Sequence, residues 1–104
     1  MSDRITNKML EARVNSLNNI LGYPTERWKP YRVDGRLVAN PNHYYIGKAY
    51  GGYRLEQLCT DGGGARDISP RGTKREVWDY TTAMIKGIEE LEKRVGLVPI
   101  KQSN

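Results

Sequence analysis

The stretch that decides the fold is YYIGKAYGGYRLEQLC, residues 44–59. Two runs rich in aromatic and aliphatic side chains, YYIGKAY and YRLEQLC, flank Gly51-Gly52. Because glycine readily adopts the positive φ angles of tight hairpin turns, this pattern predicts two antiparallel strands joined at Gly51-Gly52. Neighbouring side chains of a strand point to opposite faces, so Tyr44 and Tyr45 cannot both serve one surface.

A second hairpin is predicted upstream, where RWKPYRV and RLVAN flank Asp34-Gly35, a strong short-range hairpin signal. Pro30 cannot donate a ladder hydrogen bond, which favours an edge strand. The segment NPNH predicts a turn between the two hairpins, and residues 65–68 predict a last short strand. Together these segments predict an antiparallel meander of three to five strands.

The first segment of the chain has the periodicity of an amphipathic helix. Its apolar stripe recurs at helical spacing and consists of Leu10, Val14, Leu17 and Leu21. Ser2 is the predicted N-cap, with Asp3 in the first turn. Gly22 is predicted to end the helix.

The last segment carries the clearest helix. Thr73 and Glu76 form a capping-box pattern, T-x-x-E. The apolar stripe that follows comprises Val77, Thr81, Met84, Ile88, Leu91 and Val95. Gly96 is predicted to end the helix, and Gly87 to mark a close helix crossing.

These elements predict an α+β fold with an N-terminal helix, an antiparallel β-meander of three to five strands and a long C-terminal helix. Amphipathic helices and a short sheet bury their apolar sides against each other, so a two-layer sandwich is expected. At 104 residues the chain is predicted to be a single domain, 1–104, with a flexible tail at about 97–104.

The composition favours an anionic partner. The net charge is +5, with 17 Lys and Arg against 12 Asp and Glu. Such a balance is typical of proteins that bind nucleic acid, nucleotides or acidic protein faces, although a basic solvated surface also explains it. The single cysteine, Cys59, permits no intramolecular disulfide and fits a reducing compartment. With neither a signal-peptide pattern nor a membrane-length apolar run, a cytoplasmic protein is expected.

Cations crowd the start of the second helix, where acidic residues are the usual choice because the helix dipole is positive there. An external anion would explain this arrangement, with help from nearby hydroxyls and a run of glycines. The predicted phosphate-binding residues are Gly63, Gly64, Arg66, Ser69, Arg71, Thr73, Lys74 and Arg75. The alternative is an ordinary glycine-rich turn with solvated side chains.

Aromatic residues between cations predict a stacking surface for a base, with Tyr50 and Tyr53 as the candidates. Trp28 and Trp78 are predicted to be core anchors. A His43–Cys59 dyad has no support from its flanking residues, and no metal site or cofactor is predicted. Since the phosphate-loop spacing of nucleotide hydrolases is absent as well, the chain is not expected to be an enzyme.

The segments ANPNHYYIGKAYGGYRLEQL, GGG and SPRGTKREVWDYTTAMIKGI resemble small proteins encoded by tailed phages and prophages. The resemblance covers about residues 40–88. It implies interaction with the host cell, for which such proteins block defence nucleases, bind nucleic acid or sequester nucleotide immune signals.

Three functions are therefore expected to compete. The first is capture of a nucleotide-derived signal as a phage counter-defence sponge, with burial of the ligand at a homo-oligomer interface. The second is DNA or RNA binding by the same charges. The third is inhibition of a host enzyme through an exposed protein-binding surface. No membrane partner is expected in any of them.

Overall fold

The computed structural model describes residues 4–95, which form two α-helices and five β-strands. The elements in chain order are α1 (Asn7–Leu21), β1 (Trp28–Val33), β2 (Arg36–Ala39), β3 (Tyr44–Ala49), β4 (Gly52–Leu58), β5 (Ala65–Asp67) and α2 (Lys74–Val95). The predicted α+β class is confirmed. The predicted tail at 97–104 and the predicted helix end at Gly96 lie outside the described residues.

Helix α1 begins later than the sequence predicted. Thr6 is its N-cap, and the Thr6 hydroxyl accepts a hydrogen bond from the Met9 amide at 3.1 Å. The predicted cap, Ser2, lies outside the described residues, and so does Asp3. At the other end Gly22 has a φ of 74°, the left-handed conformation in which glycine ends a helix, as predicted.

Strands β1 and β2 form a two-stranded ribbon around the predicted Asp34-Gly35 turn. Both turn residues have positive φ, 52° and 74°, which matches the right-handed twist of the flanking strands. Since β1 pairs only with β2, the predicted edge position of Pro30 is confirmed. The prediction that Trp28 anchors the core is wrong, because its side chain lies on the ribbon and is 38% exposed.

Strands β3, β4 and β5 form a separate antiparallel sheet in that order. The β3–β4 hairpin is confirmed, but its turn lies one residue earlier than predicted. Ala49 pairs with Gly52, and the two turn residues are Tyr50 and Gly51, with φ of 53° and 74°. Gly52 is a strand residue, where an added Cβ would lie 2.8 Å from the Arg71 Cγ.

The strands therefore belong to two sheets and not to one continuous meander. The amide of Ala39 in β2 donates to the Asp61 carbonyl at 2.8 Å, and the Asn42 amide donates to Leu58. These bonds hold the ribbon beside the end of β4 without pairing β2 to β3.

Helix α2 starts with the predicted capping box. The Glu76 amide donates to the Thr73 hydroxyl at 3.1 Å, and the Thr73 amide donates to the Glu76 carboxylate at 2.7 Å. The prediction that Gly87 marks a close helix crossing is wrong, because an added Cβ there would meet only open space. Leu91, a member of the predicted apolar stripe, is exposed.

The core lies between the two helices and one face of the three-stranded sheet. Its buried members are Ile5, Leu10, Val14, Leu17, Tyr44, Leu55, Val77 and Ile85. Trp78 packs against this cluster and lies under the Arg13 guanidinium at 4.1 Å, which confirms its predicted anchoring role. Within residues 4–95 neither helix is long and apolar enough to cross a membrane.

Candidate ligand-binding site

The predicted phosphate-binding residues lie at two ends of strand β4. At one end, Gly72 and Tyr53 exchange two backbone hydrogen bonds of 2.8 Å, which place the start of α2 beside the β3–β4 turn. At the other end, the Cys59 amide donates to the Gly64 carbonyl at 2.7 Å. Tyr53 and Cys59 are six positions apart in sequence, which is about 20 Å along a strand.

The glycine run therefore does not reach the start of α2. The Gly64 amide donates to the Thr60 hydroxyl and the Gly63 amide to the Thr60 carbonyl, so both close their own turn. Arg66 is also remote, because its guanidinium donates twice to the Gln57 side-chain oxygen, at 2.8 and 3.1 Å. We leave these three residues out of the candidate site.

Ser69 has a structural role in the sheet. Its side chain is buried, and its hydroxyl accepts from the Leu55 amide at 2.9 Å and donates to the Pro70 carbonyl at 3.0 Å. The hydroxyl is thereby used within the fold, and Ser69 is left out as well.

The remaining predicted residues come together at the β3–β4 turn. Arg71 crosses from the start of α2 to this turn, and its guanidinium donates to the Ala49 carbonyl at 3.1 Å. The same guanidinium lies 5.3 Å from the centre of the Tyr50 ring. Tyr50 itself is 94% exposed, so the arginine fixes one face of an aromatic ring that is otherwise open to solvent.

Lys74 lies beside Tyr53 on the helix side of the sheet. Its ammonium is 5.7 Å from the Tyr53 ring centre, and the ring is half-buried against the core. Tyr53 therefore mainly packs against the core, and its ring also lies beside the Lys74 ammonium. Arg75 follows on the exposed side of α2 and makes a long ion pair of 3.9 Å with Asp79.

A shallow depression of about 480 Å³ opens beside Tyr53, Lys74 and Arg75. Its lining residues are Arg4, Ile5, Gly51, Tyr53, Thr73, Lys74 and Arg75. Three lining residues are cations and none is acidic. We call Arg4, Tyr50, Tyr53, Arg71, Lys74 and Arg75 the tip cluster.

Both helices begin at the tip cluster. Arg4 and Ile5 precede the N-cap of α1, while Thr73 to Arg75 form the start of α2. Each helix start carries a partial positive charge, so the helix dipoles add to the four cations. The capping box already occupies the Thr73 amide, and the side chains therefore supply most of the anion-binding capacity.

Sequence reasoning missed Arg4. The residues around Arg4 do not indicate a binding site, because a helix that starts at Ser2 would place Arg4 in its first turn on the protein surface. Only the packing of α1 beside α2 brings Arg4 to the depression.

A polar network lies on the outer face of the sheet, away from the helices. The Glu56 carboxylate accepts from the Tyr45 hydroxyl at 2.8 Å and from Arg54 at 2.9 and 3.0 Å. Arg54 also contacts Asp67 at 3.2 Å. An added Cβ at Gly47 would collide with the Glu56 carboxylate, which explains a glycine in the middle of β3.

This network shifts two pKa values in opposite directions. Burial raises the pKa of Tyr45 to about 12, and the hydrogen bond to Glu56 adds to the rise. Burial also works to raise the pKa of Glu56, but the hydrogen bonds from Tyr45 and Arg54 outweigh it and hold the pKa below its usual value.

His43 and Cys59 each interact with a different backbone carbonyl group. The buried His43 ring donates from Nδ1 to the Pro24 carbonyl at 2.9 Å. Cys59 is exposed, and its thiol lies 3.7 Å from the Gln57 carbonyl. Among residues 4–95 no group of three or more His, Cys, Asp or Glu side chains is arranged to hold a metal ion.

The tip cluster is therefore the candidate site: Arg4, Tyr53, Lys74 and Arg75 line the open depression at the two helix starts, and Arg71 lies with Tyr50 at the adjoining β3–β4 turn. Comparison with protein-family models, curated proteins and solved structures finds no match to this chain.

Proposed function

We propose that the protein binds a phosphate-bearing, nucleotide-derived ligand at the tip cluster, without a covalent step. Phosphate groups are placed by Arg4, Lys74 and Arg75, which line the depression, and by Arg71 at the adjoining β3–β4 turn. Arginine suits this task because its planar guanidinium offers paired donors to phosphate oxygens. Cations and aromatic rings bind nucleotides but do not by themselves supply a nucleophile and its base.

The observation that carries the proposal is the state of Tyr50. A bulky residue is costly at a φ of 53°, where glycine or asparagine is the usual choice. The fold gains almost no packing from it, since the side chain is 94% exposed. Strained residues concentrate at binding sites, and an exposed ring backed by Arg71 is a platform on which a base stacks.

The shape of the site indicates how such a ligand is retained. The depression is open, so one chain leaves part of a bound nucleotide in water. We include in the proposal a second copy of the chain that covers the ligand. The cations of the tip cluster and the exposed Tyr50 ring, together with the resemblance to phage proteins, support capture of a nucleotide signal as a counter-defence sponge.

Isothermal calorimetry tests the proposal with cyclic dinucleotides, cyclic trinucleotides and cyclic ADP-ribose isomers. The Arg71→Ala/Lys74→Ala variant removes two cations of the tip cluster, and we expect it to weaken binding at least about 100-fold, since each charge-assisted hydrogen bond contributes about 1.5–3 kcal/mol. Lys86→Ala/Lys93→Ala removes the same charge from exposed positions further along α2 and is expected to bind like the wild type.

Absence of binding to every one of these nucleotides would reject the proposal. Equal losses in the two variants would also contradict it, because net charge alone would then account for the binding.

A further inference from the structure

We propose that the β1–β2 ribbon is a second binding surface, which docks into the major groove of duplex DNA. The ribbon lies at the end of β4 opposite to the tip cluster, so the proposal does not depend on nucleotide capture there. It rests on the isolation, the exposed apolar side chains, the charge and the width of the ribbon.

The ribbon has little support from the rest of the fold. β1 and β2 pack mainly on each other, and the Trp28 ring lies against the Gly63 turn, where an added Cβ would be 3.9 Å away. A two-stranded hairpin alone is at best marginally stable in water. Even so, half of the exposed large hydrophobic side chains among residues 4–95 lie on it: Trp28, Tyr31, Val33 and Leu37. Such a concentration of exposed apolar surface marks an interaction site.

Charge decides what kind of partner the ribbon fits. Residues 27–36 contain Arg27, Lys29, Arg32 and Arg36 against one acid, Asp34. A second copy would bring the same four cations and a net charge of +5, so ribbon-to-ribbon pairing is opposed by repulsion. A polyanion relieves that repulsion and gains from counterion release.

The cations divide by position along the ribbon. At its base, Arg27 lies 4.4 Å over the Tyr45 ring, and Lys29 donates to the Asn40 side chain at 2.9 Å. Near the turn, the Arg32 guanidinium donates to the Gly35 carbonyl of its own hairpin, at 3.1 Å. The Arg36 side chain is exposed and has no hydrogen-bond or ion-pair partner among residues 4–95. The two arginines near the turn are therefore the ones available to a partner.

Register places one arginine on each face of the ribbon. Arg32 pairs with Leu37, and Val33 pairs with Arg36, and directly opposed residues share a face. Each face thus offers a guanidinium beside an aliphatic side chain. In a major groove an arginine reaches guanine or a phosphate, and an aliphatic group contacts the thymine methyl.

Width favours a groove over a flat anionic surface. Paired strands lie about 4.8 Å apart, and the major groove is about 12 Å wide, which admits a two-stranded ribbon with its side chains. The groove therefore matches the ribbon in width, whereas a flat membrane surface offers no such fit.

Fluorescence anisotropy with a labelled DNA duplex of about 20 base pairs tests the proposal, at about 50 and about 200 mM salt. We expect the wild type to bind and Arg32→Ala/Arg36→Ala to bind about 100-fold more weakly at low salt, with a salt slope smaller by about 2. The matched control, Lys86→Ala/Lys93→Ala, removes two exposed cations of α2 outside both proposed sites and is expected to stay within about threefold of the wild type. Val33→Ser/Leu37→Ser is expected to weaken binding without changing the salt slope.

Three results would overturn the proposal: no duplex binding by the wild type at about 50 mM salt, an equal loss in the control variant, or tighter binding of the matching single strand. Binding to phosphatidylserine vesicles is measured as well. If the protein binds these vesicles but not the duplex, the ribbon is a membrane-binding surface and the proposal is wrong. Calorimetry of Arg32→Ala/Arg36→Ala with nucleotides separates the two sites, because ligand binding at the tip cluster is expected to be unchanged.

Discussion

At the scale of single residues, Tyr50 is expected to lower the stability of the fold while it contributes to ligand binding. Tyr50→Asn places a residue that tolerates positive φ before Gly51, and Asn-Gly is the preferred pair for this turn. We expect the free energy of unfolding to rise by about 1 kcal/mol in urea denaturation. Nucleotide affinity at the tip cluster is expected to fall about tenfold in calorimetry, because the stacking ring is lost.

Asp34→Asn is the matched control for Tyr50→Asn, since it makes the same asparagine in the other hairpin turn. It replaces a residue that already suits positive φ, so both the stability and nucleotide binding are expected to stay close to the wild type. A Tyr50→Asn variant with lower stability, or with undiminished nucleotide affinity, would contradict the role given to Tyr50.

The two hairpin turns differ in how well their own residues predict them. Asp34-Gly35 was predicted correctly because the turn type depends on those two residues. In the other hairpin Gly51-Gly52 looked like the turn, yet Gly52 is glycine because Arg71 approaches it from a distant part of the chain. A tyrosine at a positive φ has no local signal, because glycine, asparagine and aspartate are the residues that indicate this turn position.

At the scale of elements, Asn18 joins α1 to β3. Its side chain is fully buried. Its Oδ1 accepts a hydrogen bond from the Tyr44 amide at 2.8 Å, and its Nδ2 donates to the Tyr44 carbonyl at 3.0 Å. Asn18→Leu leaves both backbone groups buried without partners, so we expect a loss of about 3 kcal/mol in urea denaturation.

Asn19→Leu provides the control for Asn18→Leu, because Asn19 is the exposed neighbour on the same turn of α1. It is expected to change the stability by less than about 0.5 kcal/mol. Amide hydrogen exchange at Tyr44 is expected to speed up only in Asn18→Leu. Unchanged exchange there would show that Asn18 does not hold β3 to the helix.

Element types were predictable from the sequence, whereas their arrangement was not. Apolar periodicity and the capping box identified both helices because these signals are local. The division of the strands into two sheets depends on the Ala39–Asp61 hydrogen bond, between residues far apart in sequence. For the same reason Gly63, Gly64 and Arg66, close in sequence to Arg71, lie far from it in the fold.

At the scale of the whole molecule, the Glu56 network makes stability depend on pH. Because the pKa of Glu56 is lower in the folded chain than its usual value of 4.5, the unfolded chain takes up a proton first as pH falls. The contribution of Glu56 is therefore present above that usual value and is lost as pH drops through the folded pKa. Tyr45 acts at the alkaline end, where its contribution is lost as pH rises from 10.0 toward about 12.

Glu56→Gln tests this dependence, because the amide keeps the size of the side chain but neither ionises nor forms the ion pair with Arg54. We expect a loss of about 1–2 kcal/mol near neutral pH and a flatter decline between pH 6 and pH 3 than in the wild type, measured by urea unfolding across that range. The net positive charge grows on acidification in both proteins, so that repulsion cancels in their difference. Tyr45→Phe is expected to flatten the alkaline limb, and to flatten the acid limb in part because the Tyr45 hydroxyl helps to hold the pKa of Glu56 down. Parallel acid limbs for the wild type and Glu56→Gln would mean that carboxylates elsewhere set the acid stability, and that the outer-face network joins β3, β4 and β5 without controlling their response to pH.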